Sequence, residues 1–79
     1  MKLGGLKRAI QPMPDFVASA LKARGLEDTY LARPAYQRND YLGWINRAVR
    51  EVSKRKPLEQ MLSELDAGDT YMGMVWKRR

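Results

Sequence analysis

Between Pro34 and Val52, the apolar residues Tyr41, Trp44, Ile45, Ala48, Val49 and Val52 recur at intervals of three and four. That spacing draws one stripe along a helix of 3.6 residues per turn and is incompatible with the alternation of a half-buried strand. The stripe contains one of the chain's two tryptophans, the largest block of apolar surface that a side chain can bring to a core. A chain of 79 residues has room for one domain. The segments flanking the stripe are therefore expected to pack on this helix.

Three of the flanking segments carry helix punctuation. Pro12 and Pro14 precede Asp15, which favours the positive end of a helix dipole, and Phe16, Val17, Ala20 and Leu21 share a face before Gly25. This predicts a first helix over 14–24. Glu27 and Asp28 open a short helical turn to about 32, and Pro34 disfavours helical backbone at Arg33. The central helix is predicted to start at Pro34 or Tyr36 and to reach Val49 or Arg50. Gly43 inside it points to a close helix–helix approach. Leu58, Met61, Leu62 and Leu65 predict a last helix over 57–67, with Pro57 as its first residue and Gly68 as its stop. Ser53 is a candidate cap if the segment starts there instead, in which case Pro57 removes one backbone bond in its second turn. Tyr71–Trp76 is apolar and aromatic without helical spacing and is expected to lie extended across the helices. The fold class is thus all-α: a small bundle of three main helices and a short helical turn, with an extended aromatic C-terminal strap.

Charge divides the chain. The formal net charge is +6, and all of it falls on residues 1–10 and 77–79, because residues 11–76 hold nine basic and nine acidic side chains. We divide the sequence accordingly into a flexible basic arm (1–11), a helical domain (12–76) and a basic tail (77–79). There is no cysteine and no histidine, which removes disulfides, thiolate chemistry, the commonest general base and Cys/His zinc sites. Neither a continuous apolar signal segment nor a run of about 20 apolar residues occurs, so a cytoplasmic chain with no membrane span is expected. No phosphate loop, nucleophile elbow or metal motif is present, and neither enzymatic activity nor a cofactor is expected.

The central helix, with the segments on either side of it, is similar to the bacteriocin-protection family, also called YdeI/OmpD-associated. The likeness rests on the proline-led Pro14–Leu21 segment, on Tyr41-Leu42-Gly43-Trp44-Ile45-Asn46-Arg47-Ala48, on Ser53-Lys54 where Thr-Arg is usual, and on Leu58–Gly68. Short bacterial members share Arg33–Tyr41 and the Tyr71-Met72-Gly73-Met74-Val75-Trp76 ending, so the resemblance spans about Pro12 to Lys77. Pro57 departs from the pattern, standing where an arginine is common. The resemblance implies a link to protection against antibacterial peptides and to outer-membrane proteins; with no nucleophile–base pair available, a small non-enzymatic interaction domain with a protein partner is expected.

Two groups of side chains are candidates for contact. Arg47, Arg50, Lys54, Arg55 and Lys56 form the densest basic run, opposed only by Glu51. They would suit an anionic partner, nucleic acid included. The plainer account is a solvated face neutralised by Glu59, Glu64, Asp66 and Asp69 on the next helix. Arg38, Asn39 and Asp40 form a polar patch that suits either recognition or local bonds near a helix start. Tyr41 and Trp44, on the apolar stripe, are expected in the core rather than on a stacking surface.

Overall fold

The computed structural model describes residues 10–76. Four helices, α1 (Asp15–Ala23), α2 (Glu27–Leu31), α3 (Ala35–Arg47) and α4 (Glu51–Ala67), are followed by a two-stranded antiparallel hairpin, β1 (Thr70–Tyr71) and β2 (Met74–Val75). The first two helices form where their punctuation places them. Asp15 sits in the first turn of α1, and Glu27 and Asp28 in that of α2. Gly25, at a φ of 67°, closes α1: its N–H donates to the Lys22 carbonyl and the Leu26 N–H to the Leu21 carbonyl. This is the Schellman arrangement, and its partner residues Leu21 and Leu26 are both buried. Pro34, extended at a ψ of 150°, separates α2 from α3.

The core is built from Val17 and Leu21 of α1, Leu26, Tyr30 of α2, Tyr41, Leu42 and Ile45 of α3, and Leu58, Met61, Leu62 and Leu65 of α4. The helix that touches most of the others is α4, which packs against α2, α3 and β1. The predicted hub, α3, is shorter than its apolar stripe. Ala48 turns extended (ψ 133°), and Arg50, also extended, is the residue from which α4 starts. One continuous helix from 35 to 67 would be about 50 Å long at 1.5 Å per residue and could not fold its two apolar faces together. The break lets α4 return along α3. It also strands the end of the stripe, so that Val49 is 92% and Val52 65% exposed.

Two further expectations are corrected. Helix α4 begins at Glu51, not Pro57, so Ser53 is a helical residue and Pro57 lies inside the helix with no N–H for the Ser53 carbonyl. The exposure of Ser53 leaves that carbonyl near solvent, and burial of the Pro57 ring offsets part of the cost. The aromatic ending is a hairpin rather than a single extended strap. Its two-residue loop, Met72-Gly73, has positive φ at both positions (52° and 82°), the backbone that matches the twist of paired strands. Met74 is 58% exposed, contrary to its expected packing, whereas Tyr71 and Met72 lie against the core.

Of the arm, residues 1–9, with Leu3 and Leu6, lie outside the described residues, as does the tail 77–79. Ile10 is 91% exposed and makes no core contact. Gln11, assigned to the arm by composition, is instead docked on α3. Its N–H donates to Asn39 Oδ1 at 2.7 Å, and Asn46 Nδ2 donates to the Pro12 carbonyl at 3.0 Å. Between those two asparagines, the Gln11 side chain covers Gly43. The close approach at Gly43 is therefore by the incoming chain, not by another helix. A Cβ at Gly43 would meet Gln11 Cγ at 3.5 Å, an ordinary contact. Gly43→Ala is accordingly expected to raise unfolding stability by about 0.5–1 kcal/mol through helix propensity. Urea denaturation checks this, and a loss of stability would show that the Gln11 contact tolerates no Cβ.

Candidate functional site

The two sequence-predicted groups lie in different places and have different surroundings. Arg38, Asn39 and Asp40 occupy the middle of α3, half-buried, and each is committed to an intramolecular bond. Arg38 Nε donates to the Arg33 carbonyl at 3.0 Å, Asn39 accepts from the Gln11 N–H, and Asp40 accepts from the Tyr71 hydroxyl. They tie the arm, the α2–α3 link and the hairpin to one helix.

Beside them lies a buried polar cluster that no sequence pattern singled out. Glu64, 7% exposed, accepts four hydrogen bonds: from the Tyr41 hydroxyl at 2.5 Å, from the N–H groups of Met72 at 2.8 Å and Gly73 at 2.7 Å, and from Gln60 Nε2 at 3.2 Å. Burial alone would raise the Glu64 carboxyl, but the bonds from Tyr41, Gly73, Met72 and Gln60 outweigh it and hold the group below its ordinary 4.5. Tyr41 is driven the other way. Burial, then the bond to Glu64 and its negative charge, push the phenol well above 10.0, so it remains a donor. Arg33, 4% exposed, donates to Gln37 Oε1 and to the Glu64 carbonyl, both at 3.0 Å, and its guanidinium lies 4.5 Å from the Trp76 ring centre. Tyr71 meets Tyr41 and Tyr36 edge to face, at 5.5 and 5.9 Å between centres. These polar atoms are spent on holding the hairpin to α3 and α4. The phenol stays protonated and the carboxylate charged, each stabilising the other's state.

The basic run faces outward at the corner where α3 gives way to α4. Arg47 ends α3, Arg50 precedes α4, and Arg55 and Lys56 lie in the second turn of α4; all four are exposed. Lys54 differs: its Nζ donates to the Ile45 carbonyl at 3.3 Å and so stabilises the open C-terminal end of α3. Among the described residues, no side-chain hydrogen bond or ion pair engages Arg47, Arg50, Arg55 or Lys56. Apart from Glu51 inside the run, the acids expected to neutralise them are engaged with other groups or distant. Glu59, one turn from Arg55 and Lys56, pairs with Arg24, the C-cap of α1, at 3.0 Å, and Glu64 is buried under the hairpin. Asp66 is ten residues beyond Lys56, about 15 Å along the helix, farther than the Debye length of about 8 Å at physiological salt.

The corner also has apolar content. Trp44, half-buried against the core instead of within it, lines an open cleft of about 420 Å³ with Arg47, Ala48, Ser53, Lys56 and Pro57. A second depression, about 180 Å³, is lined by Phe16, Glu51, Lys54, Arg55 and Leu58, and Phe16 is 40% exposed there. No family model, curated protein or solved structure matches the chain. The corner therefore rests on its own geometry.

Its apolar half was missed because the stripe was extended through Ala48 as though α3 continued. No local signal marks the break, since Arg47-Ala48-Val49-Arg50 contains no capping or helix-stopping residue. The changed position of Trp44 alters what its removal should do. A fully buried tryptophan costs about 3–5 kcal/mol on truncation; for this half-buried ring, Trp44→Ala is expected to cost about 1–2 kcal/mol and leave a folded domain. Circular dichroism through a thermal ramp measures it, and loss of the folded state at 25 °C would return Trp44 to the core.

Proposed function

We propose that this chain is a non-enzymatic, cytoplasmic interaction domain of the bacteriocin-protection type, and that it engages an anionic macromolecule through the α3–α4 corner. The observation that carries the proposal is the net positive charge of that corner. Residues 47–56 hold five cations and one acid, and the two nearer carboxylates of α4 are committed to Arg24 and to the hairpin. Arg47, Arg50, Arg55 and Lys56, which among the described residues have no side-chain partner, stand with exposed apolar side chains (Phe16, Val49 and Val52), and that suits a contact surface better than a merely solubilising one. The non-enzymatic assignment is supported by chemistry. The chain has no histidine or cysteine, and the buried tyrosine–carboxylate pair is locked in a structural role. Among the described residues no helix is long and apolar enough to cross a membrane.

An NMR titration of the full chain with two polyanions, a 20-residue polyglutamate and a 20-nucleotide oligothymidylate, tests this. Backbone amide shifts are expected to cluster over residues 44–58 for at least one of them and to weaken as salt is added. The charge-reversal variant Arg47→Glu/Arg55→Glu should abolish them. Shifts confined to another face, or no response to either polymer, would overturn the assignment.

A further inference from the structure

We propose that the partner at the α3–α4 corner is single-stranded nucleic acid, with a base stacked on Trp44 and the flanking phosphates held by Arg47 and Lys56. The inference rests on the interaction reading above and names its ligand. Coulomb attraction to an acidic protein would require only the cations. What distinguishes this corner is that an aromatic ring lines the same cleft as two of them. Trp44 and Arg47 are three residues apart on α3, hence neighbours on one helix face, and Lys56 belongs to the opposing wall on α4. The ring is partly packed against the core, so its orientation is fixed before any ligand arrives and little side-chain entropy remains to be lost. An immobilised ring flanked by cations is how proteins grip unpaired bases without reading their sequence. A duplex keeps its bases stacked on one another and offers such a cleft only phosphate. The cleft, about 420 Å³, is shallow and open to solvent. Arg50 and Arg55 of the same run are exposed, and Arg55 lines the second depression with Phe16.

The distinguishing measurement uses tryptophan emission. Trp76 is the chain's other tryptophan, so the full-length Trp76→Phe variant reports Trp44 alone while keeping an aromatic ring beside Arg33. Oligothymidylate of 20 nucleotides is expected to quench that emission saturably. With about three phosphates neutralised, affinity should fall about 20-fold between 50 and 200 mM salt. By anisotropy of the labelled oligonucleotide, Trp44→Leu should weaken binding about tenfold or more. Arg47→Gln/Lys56→Gln, at exposed positions where folding is not at stake, should do the same. Unchanged affinity in both variants would overturn the proposal, as would binding that leaves Trp44 emission unaltered. Equal binding of polyglutamate, or of a duplex, with Trp44 silent would also overturn it while leaving the corner as an anionic contact surface. Failure of every polyanion would remove both.

Discussion

Glu64→Ala is expected to destabilise the domain by about 3–5 kcal/mol, enough to remove most of the stability available to a chain of this size. The carboxylate is nearly inaccessible and is the common acceptor for the Tyr41 hydroxyl, the Met72 and Gly73 N–H groups and Gln60. Alanine would strand those donors and release the loop of the hairpin. Glu64→Gln is the milder test, at about 2 kcal/mol: its single oxygen cannot serve two backbone N–H groups and a phenol together. Guanidinium or thermal unfolding measures both, and a change under 1 kcal/mol in the alanine variant would show that the hairpin is not held through this residue. A pH signature accompanies the loss. The folded-state pKa of Glu64 lies below its ordinary value of 4.5. Its contribution is therefore complete above about 4.5 and disappears as pH falls through the lower folded value, because the unfolded chain takes up the proton first. The stability difference between the unsubstituted protein and Glu64→Gln should accordingly be flat near neutrality and shrink in acid.

Local forces are legible in the sequence and long-range ones are not. Punctuation by Asp15, Gly25, Pro34 and Gly68 is chemistry between residues a few positions apart, and it places α1, α2, the start of α3 and the end of α4. The break at Ala48 is different in kind. Ala48, Val49 and Arg50 carry no helix-stopping residue, and the chain turns there because α4 gains more by packing back on α3 than the helix gains by continuing. The same long-range term keeps Pro57 inside α4, where its local cost argues for a boundary. The hairpin was obscured by Met72, an unusual residue at positive φ, although Gly73 beside it is the ordinary occupant of such a turn. Its conformation is held by Glu64, a contact across eight residues that no local pattern announces. The basic run was legible as composition. The commitment of Glu59 and Glu64 to other partners was not, since that depends on Glu59 reaching Arg24 and Glu64 turning inward.

Tyr41→Ala is expected to cost about 3–5 kcal/mol, comparable with the loss of Glu64, for two separable reasons. The ring is fully buried, meets Tyr71 edge to face at 5.5 Å, and contributes to the core that α3 shares with α4. The hydroxyl supplies one of the donors that keep Glu64 ionised below its ordinary range. Tyr41→Phe isolates the second contribution: it keeps the ring, removes the donor, and should cost about 1.5–3 kcal/mol near neutral pH, the range for a hydrogen bond to a charged group. With that donor gone, the folded-state pKa of Glu64 moves up toward its unfolded value, so the acid loss that remains is smaller and is complete at a higher pH. In a double-mutant cycle with Glu64→Gln, Tyr41→Phe should cost at least about 1 kcal/mol less than it does alone. Full additivity would mean that phenol and carboxylate act independently, and the hairpin would then be held by its backbone bonds and the Arg33–Trp76 contact without help from Tyr41.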